Sequence, residues 1–225
     1  MLILKGTKTV DLSKDELTEI IGQFDRVHID MGTGDGRNIY KLAINDQNTF
    51  YIGIDPVKEN LFDISKKIIK KPSKGGLSNV VFVIAAAESM PFELKNIADS
   101  ISILFPWGTL LEYVIKPNRD ILSNVADMAK KEAHFEFVTT YSDSYEEAEI
   151  KKRGLPLLSK AYFLSEQYKA ELSNSGFRID DVKELDNEYV KQFNSMWAKR
   201  LAFGRKRSFF RVSGHVSKHH HHHHH

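Results

Sequence analysis

Short apolar runs alternate with amphipathic segments along most of the chain. The apolar runs predict buried strands at 27–31, 50–55, 80–85, 101–105 and 134–140. Hydrophobic positions that recur every three to four residues predict helices at 36–45, 57–71, 117–132 and 165–175. Strands that alternate with helices build a parallel sheet with helices on both faces. The pattern therefore predicts an α/β fold.

Both ends of the chain add strands to this core. Residues 2–12 predict a short β-hairpin, and Ser13 and Glu16 have the spacing of a capping box that starts a helix. Segments 178–185 and 208–216 predict two strands that form an antiparallel hairpin at one sheet edge. We therefore expect a mostly parallel sheet of seven strands behind the N-terminal hairpin. Without internal repeats or a Pro/Ser-rich linker, residues 1–218 are expected to form a single domain.

Two connections are longer than an α/β core needs, namely 141–164 and 188–206. Long connections in compact domains are usually functional or disordered. Both contain apolar and aromatic residues, so we predict that they form ordered, functional helices.

Composition excludes several classes of function. The chain has 225 residues, 41% of them hydrophobic, and no cysteine, which removes disulfides, thiolate metal sites and a cysteine nucleophile. No apolar run approaches ~18 residues, and the N-terminal segment lacks the order of a signal peptide. We expect a cytoplasmic protein that avoids membranes, holds no metal and, without heptads, is a monomer. The run His219–His225 is mostly a purification tag.

The net charge is only +2, but the cations are clustered. Four lysines recur at i, i+1, i+4 and i+5, which predicts one cationic helix face: Lys66, Lys67, Lys70 and Lys71. Six cations and no acid lie between Lys199 and Arg211, and Arg153 ends a third cluster. A near-neutral chain with segregated cations is consistent with a one-sided phosphate-binding surface.

A glycine-rich turn, from Asp30 to Asn38, joins the first core strand to the next helix. Glycines there let a ligand approach the backbone closely. The spacing is G-x-G-x-G, one residue short of the dinucleotide fingerprint, and Asp30 would repel a pyrophosphate. Asp55, at the end of the next strand, can accept hydrogen bonds from ribose hydroxyls. We therefore predict that Asp30, Gly32 and Gly34 help to bind S-adenosylmethionine, which carries a sulfonium and an amine. The alternative, a glycine-rich turn that binds no ligand, is less favoured.

Two segments after later strands complete the predicted pocket. Small residues at 85–87 followed by Glu88 leave room for a flat purine, although simple packing of the alanines explains them about as well. Phe105, Pro106 and Trp107 follow the fourth strand. Methyltransferases that act on exocyclic amines resemble one another in an Asn/Asp-Pro-Pro-aromatic tetrad at this point. The amide or carboxylate is missing here, which argues against an exocyclic amine and leaves a ring nitrogen open.

The chain has two tryptophans, Trp107 beside the predicted reaction centre and Trp197 in a basic connection. Two indoles facing one pocket would hold an extruded base, at ~1–3 kcal/mol for each stacking contact. A packing role is the alternative for each. A purine ring nitrogen presents its own lone pair, so transfer from a sulfonium needs alignment and no general base. The histidines are scattered and are expected to be structural.

The pattern D-x-G-x-G-x-G followed by a strand ending in Asp55 resembles the first motifs of the class I methyltransferases, which have a Rossmann-like α/β fold. From Met1 to about His219 the chain further resembles the bacterial aminoglycoside-resistance methyltransferases that modify 16S rRNA. The segments 30–36, 105–108 and 195–200 carry this second resemblance.

The resemblance implies methylation of N1 of a decoding-site adenine within the assembled 30S subunit. It implies base stacking by Trp107 and Trp197 next to Phe105 and Pro106. It implies cofactor contacts from Gly32, Asn38, Asp55, Ala87, Glu88, Leu104, Thr109 and Ser195. It implies RNA contacts from Lys66, Lys67, Lys70, Lys71, Arg153, Arg200, Arg205 and Arg207. A small-molecule or protein methyltransferase and a non-enzymatic ribosome-binding protein are the alternatives.

Overall fold

The structure is a computed structural model that describes residues 1–218, and the predicted tag lies outside this range. The strands in this range are β1 (Leu2–Lys5), β2 (Lys8–Asp11), β3 (Arg26–Met31), β4 (Thr49–Asp55), β5 (Val80–Ile84), β6 (Ala98–Leu104), β7 (Ala129–Thr139), β8 (Phe177–Leu185) and β9 (Phe209–Val216). Across residues 1–218 these nine strands form one sheet in the order β2-β1-β5-β4-β3-β6-β7-β9-β8.

The centre of the sheet is parallel and both edges are antiparallel. Strands β5, β4, β3, β6 and β7 run in the same direction. The hairpin β1–β2 pairs antiparallel with β5, and β9 lies antiparallel between β7 and β8. The mostly parallel α/β sheet and its antiparallel C-terminal edge are confirmed. The predicted count of seven strands is lower than the nine found in residues 1–218, because the N-terminal hairpin joins the sheet.

The helices pack around this sheet. They are α1 (Lys14–Ile21), α2 (Arg37–Asn45), α3 (Phe62–Ile68), α4 (Gly108–Ile115), α5 (Arg119–Ala126), α6 (Glu147–Lys152), α7 (Lys160–Leu164), α8 (Glu166–Asn174), α9 (Asn187–Val190) and α10 (Met196–Phe203). The capping box is present, since Ser13 accepts from the Glu16 amide and Glu16 accepts from the Ser13 amide. The two long connections contain α6, α7, α9 and α10, so the prediction of ordered helices there is confirmed.

Two helix predictions were wrong in their bounds. The predicted helix 117–132 stops at Ala126 and the chain enters β7 at Ala129, while α4 was not predicted. The predicted helix 57–71 is a 3-10 turn followed by α3, which ends at Ile68. Lys71 precedes Pro72 and is extended (φ −58°, ψ 150°), as steric contact with a following proline favours.

Lys70 and Lys71 therefore lie beyond the end of α3, and the four lysines do not share one helix face as predicted. All four are exposed. The four lysines are therefore close to one another because they belong to one short exposed segment, and not because they share a helix face.

Three apolar clusters hold the molecule together. A large cluster on one sheet face includes the fully buried Ile29 and Phe135, and a smaller one on the other face is centred on Phe82. The third cluster packs α9 and α10 against the ends of β6 and β7 through residues that include Phe105 and Phe209. This third cluster fixes the connection 188–206 above the carboxyl ends of the parallel strands. No helix in residues 1–218 has the length and apolarity to cross a membrane.

Candidate active site

The turn between β3 and α2 needs its glycines for steric reasons. Gly32, Gly34 and Gly36 have φ of 75°, 64° and 75°, a region that favours glycine. The amides of Gly32 and Thr33 both donate to the Ile54 carbonyl, at 2.8 and 2.9 Å, which fastens the turn to the end of β4. We call this segment, residues 32–36, the glycine loop.

Asp55 supports the glycine loop from the neighbouring strand. One carboxylate oxygen accepts from the Gly34 amide at 3.1 Å and the other accepts from the Val57 amide at 3.0 Å. Burial raises the pKa of Asp55, while the Val57 and Gly34 amides lower it. A carboxylate has about four acceptor positions, so both oxygens keep capacity for further donors such as ribose hydroxyls.

Asp30 is part of a buried polar chain that the sequence did not reveal. Ser102 Oγ on β6 donates to Asp30 Oδ1 at 2.6 Å, and His28 Nε2 lies 3.0 Å from the same Ser102 hydroxyl. Ser100 Oγ lies 2.6 Å from the other ring nitrogen of His28. Burial raises the pKa of Asp30 to about 6, an effect that the Ser102 hydrogen bond partly offsets. Serines at alternate positions of an apolar strand were the available signal.

Two adjoining cavities contain every predicted cofactor and catalytic residue. The larger has a volume of about 510 Å³, and its lining includes Asp30, Gly32, Gly34, Asn38, Leu104, Phe105, Trp107, Ser195 and Trp197. The smaller has a volume of about 190 Å³, and its lining includes Gly32, Asp55, Ala87, Glu88, Pro106, Trp107 and Thr109. Gly32 and Trp107 belong to both linings. The structure therefore brings together residues from five separate parts of the chain. The larger cavity is in the size range of cofactor pockets.

Phe105 shapes the site through its backbone. Its φ of 49° is a left-handed conformation that costs a residue with a side chain about 1–3 kcal/mol. Its ring is buried edge-on against Phe193 and Phe209, with centroid distances of 5.0 and 5.9 Å. Its carbonyl accepts from Trp197 Nε1 at 3.1 Å. Phe105 therefore orients an indole with its carbonyl while its side chain serves the third apolar cluster.

The two indoles line the same space from different elements. Trp107 immediately precedes α4 and is 66% exposed, whereas Trp197 lies on α10 and is partly buried. Both also line a third cavity of about 410 Å³, beside Tyr145 and Arg153 of the connection 141–164. The indoles thus stand where the cofactor cavity opens toward both long connections.

Helix α10 is held at its first turn by two side chains. Ser195 Oγ accepts from the Ala198 amide at 2.9 Å. Asp35, in the glycine loop, accepts from the Met196 amide at 3.1 Å. The Asp35 contact joins residues 161 positions apart, and no local pattern of residues indicates it.

The predicted RNA-binding cations differ in their availability. Arg200 is exposed and lines the large cavity. Arg153 is paired with Glu149 and Glu112 at 2.6 and 3.1 Å, and Arg205 is paired with Asp143 at 2.8 Å.

Arg207 is the exception among these cations, because its side chain is only 7% exposed. It donates to the Tyr141 carbonyl at 3.0 Å and to Asp143 at 2.9 Å. These contacts give Arg207 a structural role, and its RNA contact stays a prediction. Within residues 1–218, no group of three or more His, Asp or Glu side chains is placed to hold a metal.

The fold and the cavity at the carboxyl ends of the parallel strands define an α/β methyltransferase. The model of the NpmA family, described as 16S rRNA (adenine(1408)-N(1))-methyltransferase, matches residues 2–216. The chain belongs to this family, whose members are S-adenosylmethionine-dependent rRNA methyltransferases. The predicted fold class, enzyme class and cofactor are thereby confirmed.

Known relatives agree with this assignment. The chain is 98% identical over 219 residues to a 16S rRNA (adenine(1408)-N(1))-methyltransferase of Escherichia coli, covering 97% of this chain and 100% of that protein. The enzyme of that name from Catenulisporales acidiphilia, in a mutant crystallised with the cosubstrate SAM, superposes with a TM-score of 0.86 at 29% identity, covering 96% and 97% of the two chains. The aminoglycoside resistance methyltransferase NpmB1 superposes with a TM-score of 0.78 at 33% identity, covering 95% and 100%.

Proposed function

We propose that this enzyme methylates N1 of adenine 1408 of 16S rRNA within the assembled 30S subunit and so confers resistance to aminoglycosides. The observation that carries the proposal is the placement of Trp107 and Trp197 on one cavity with the glycine loop. Enzymes that act on a base inside folded nucleic acid extrude it into a pocket and stack it on aromatic side chains. The indole pair supplies such a platform next to the cofactor site.

The residues fit S-adenosylmethionine by the chemistry of the donors around the two cavities. Asp55 is placed for the ribose hydroxyls, Ala87 and Glu88 for the adenine, and Asp30 for the cationic methionyl end. Asn38, Leu104, Thr109 and Ser195 complete the lining. When bound, the cofactor supplies an electrophilic methyl group on a sulfonium.

The chain then contributes orientation rather than proton transfer. Adenine N1 carries an in-plane lone pair and is mostly unprotonated at neutral pH, so no general base is needed. The Phe105 carbonyl fixes the Trp197 ring through Nε1, and Pro106 and Trp107 border the space where the base would stack. Holding the acceptor nitrogen in line with the methyl group converts a bimolecular encounter into an oriented one.

Methylation at N1 accounts for resistance by electrostatics. The product carries a positive charge on its Watson–Crick edge and loses an acceptor there. A polycationic drug that binds this edge meets repulsion and lacks its hydrogen bond. The exposed cations Lys66, Lys67, Lys70, Lys71 and Arg200, with the paired Arg153 and Arg205, would bind the phosphates around the site.

Primer extension tests the proposal directly. We expect 30S subunits incubated with the enzyme and S-adenosylmethionine to show a new reverse-transcription stop at adenine 1408, since an N1 methyl blocks base pairing. A parallel reaction on protein-free 16S rRNA shows whether the assembled subunit is required. Subunits that remain free of the stop, under conditions where the enzyme binds its cofactor, would exclude the proposed reaction.

A further inference from the structure

The first turn of α10 is capped from outside the connection that contains it. A helix begins with amides that have no partner inside the helix. In α10 the Ala198 amide is satisfied locally by Ser195, whereas the Met196 amide donates to Oδ2 of Asp35. The residue that completes the start of this helix therefore belongs to the glycine loop.

Asp35 is itself fixed by the cofactor side of the loop. Its other oxygen accepts from the Arg37 amide at 3.0 Å, and its neighbours Gly34 and Gly36 both have positive φ. The Gly34 amide donates to Asp55 at 3.1 Å. Asp55 is therefore linked to the start of α10 by its hydrogen bond to Gly34, by the peptide bond between Gly34 and Asp35, and by the hydrogen bond from the Met196 amide to Asp35.

The link between the glycine loop and α10 matters because α10 contains two residues of the proposed RNA site. Trp197 is the second residue of the helix and Arg200 lies one turn further on. The third apolar cluster holds α10 through Ala198 and Leu201, and the Trp197 indole packs against the same cluster. We expect a shift of the Asp35 cap to be transmitted through the first turn to the Trp197 indole and, one turn further on, to the Arg200 guanidinium.

We propose that Asp35 is a positioning residue that couples cofactor binding at the glycine loop to the placement of Trp197 and Arg200 for RNA. The inference rests on the proposed function and extends it. A cofactor that orders the loop stabilises the cap, and the cap orders the RNA-binding end of α10. Linkage is reciprocal, so the RNA strengthens cofactor binding by the same factor.

The test measures the coupling as a ratio of two dissociation constants. The affinity for 30S subunits is determined without and with saturating S-adenosylhomocysteine, which prevents turnover. Typical coupling between sites is about 5–150-fold. We expect at least ~5-fold tighter 30S binding with S-adenosylhomocysteine in the unmodified enzyme, and a ratio close to one in Asp35→Ala.

A matched pair at Met196 separates the hydrogen bond from the side chains. Met196→Pro removes the donor amide together with the methionine side chain, and proline is well tolerated at the first helical position. The preceding Ser195 already has φ −73° and ψ 153°, which suits a residue before proline. Met196→Ala keeps the amide. We expect Met196→Pro to lose the coupling and Met196→Ala to retain it, with all variants showing unchanged circular dichroism and thermal melting.

A second readout works without RNA. In a Trp107→Phe background, Trp197 is the remaining tryptophan, and S-adenosylhomocysteine should reduce its quenching by acrylamide. This change should vanish on adding Asp35→Ala. Coupling or protection that survives both Asp35→Ala and Met196→Pro would overturn the inference. The absence of coupling in the unmodified enzyme, or of protection in Trp107→Phe, would overturn it as well. Failure of 30S binding alone would count against the proposed function, and the fluorescence result would then decide the inference.

Discussion

Asp30 shows how the burial of one carboxylate affects stability and cofactor binding in opposite ways. Its pKa is raised from 3.8 to about 6, so the folded protein favours the protonated form. Ionised Asp30 therefore lowers stability above pH ~6, and this penalty disappears as the pH falls toward 4. The ionised form is nevertheless the one that would attract the cationic end of the cofactor.

We expect Asp30→Asn to stabilise the apo enzyme at pH 7.5 by up to about 3 kcal/mol, since one pKa unit corresponds to ~1.4 kcal/mol. The asparagine oxygen can still accept from Ser102. The gain should be absent at pH 4, and the affinity for S-adenosylmethionine should fall. Thermal melts at both pH values and calorimetry check these expectations. Equal stabilisation at both pH values would show that the carboxylate charge is not responsible.

The indole pair gives a prediction about catalysis. We expect Trp107→Ala and Trp197→Ala each to reduce methylation by ~5–150-fold, from the ~1–3 kcal/mol of a base-stacking contact. Kanamycin survival of cells expressing each variant should fall in parallel. Trp197→Phe keeps a ring but loses the hydrogen bond to the Phe105 carbonyl, so its activity should be intermediate. Survival of both alanine variants at the unmodified level would reject the stacking role.

Gly36 tests the steric argument for the glycine loop. A Cβ there would lie 2.8 Å from the Phe82 ring at a φ of 75°, so Gly36→Ala adds a clash to backbone strain. We expect a loss of at least ~2 kcal/mol from overpacking and strain together, measured by chemical denaturation. Gly154→Ala is the control, since its φ is 66° but no atom lies within 4 Å of the added Cβ. Gly154→Ala should lose only the part of the free energy of unfolding that comes from backbone strain.

The sequence predicted which residues lie near one another but not the contacts among them. Glycine spacing and strand ends predicted that Asp30, Asp55 and Trp107 meet at one sheet edge, where parallel strands converge, and the structure places all three on two adjoining cavities. The contacts of Asp30 with Ser102, of Asp35 with Met196 and of Phe105 with Trp197 join residues at least 72 positions apart. Such pairings depend on the tertiary fold, and local periodicity contains no information about them.

At the level of elements, the two long connections are joined by Arg207. Its guanidinium bridges the Tyr141 carbonyl and Asp143, so it holds the connection 141–164 next to the start of β9. Thr140 strengthens the same junction by donating to the Ser208 carbonyl at 2.8 Å. The clusters of basic residues predict RNA binding here, and the structure adds that one of these cations, Arg207, holds two parts of the chain together.

We expect Arg207→Ala to destabilise the enzyme by about 1–3 kcal/mol, because it leaves a half-buried carbonyl without its charged donor. The connection 141–164 should become more sensitive to limited proteolysis. Arg205→Ala is the matched control, since Arg205 pairs with the same Asp143 but is 58% exposed, and its loss should change stability little. Equal melting temperatures for the two variants would contradict the structural role of Arg207.

The helix predictions erred at the ends of the elements. The apolar pattern continued through 57–71, but α3 ends at Ile68, and Lys71 is extended as the following Pro72 favours. The pattern through 117–132 likewise hid the change from α5 to β7, since apolar residues continue across it. Periodicity thus predicted the type of most core elements, but it missed α4 and did not give the element ends.

At the scale of the whole molecule, the distribution of charge is more informative than the net charge. The formal charge is +2, yet exposed lysines are concentrated at 66–71, and cations at 199–211 include the exposed Arg200 as well as Arg205 and Arg207, which pair with Asp143. Concentrated cations of this kind attract phosphates.

Replacing Lys66, Lys67, Lys70 and Lys71 by glutamate tests this surface. We expect the quadruple variant to bind 30S subunits more weakly, with the dependence on salt reduced by roughly 0.7–0.9 per lost phosphate contact in a log–log plot. The affinity for S-adenosylmethionine should stay unchanged, which serves as the internal control. A small-molecule or protein methyltransferase would instead retain full activity in this variant.

The position of β9 inside the sheet has a consequence for biosynthesis. β9, the last strand of the described residues to be synthesised, lies between β7 and β8, so neither of these strands can complete its pairing before β9 is made. The connection 141–164 is anchored just before β9, since Thr140 donates to the Ser208 carbonyl and Arg207 donates to the Tyr141 carbonyl. Phe209, the first residue of β9, belongs to the third apolar cluster that packs α10. We therefore expect a nascent chain still lacking residues 209–216 to contain the glycine loop but not the assembled base platform proposed above.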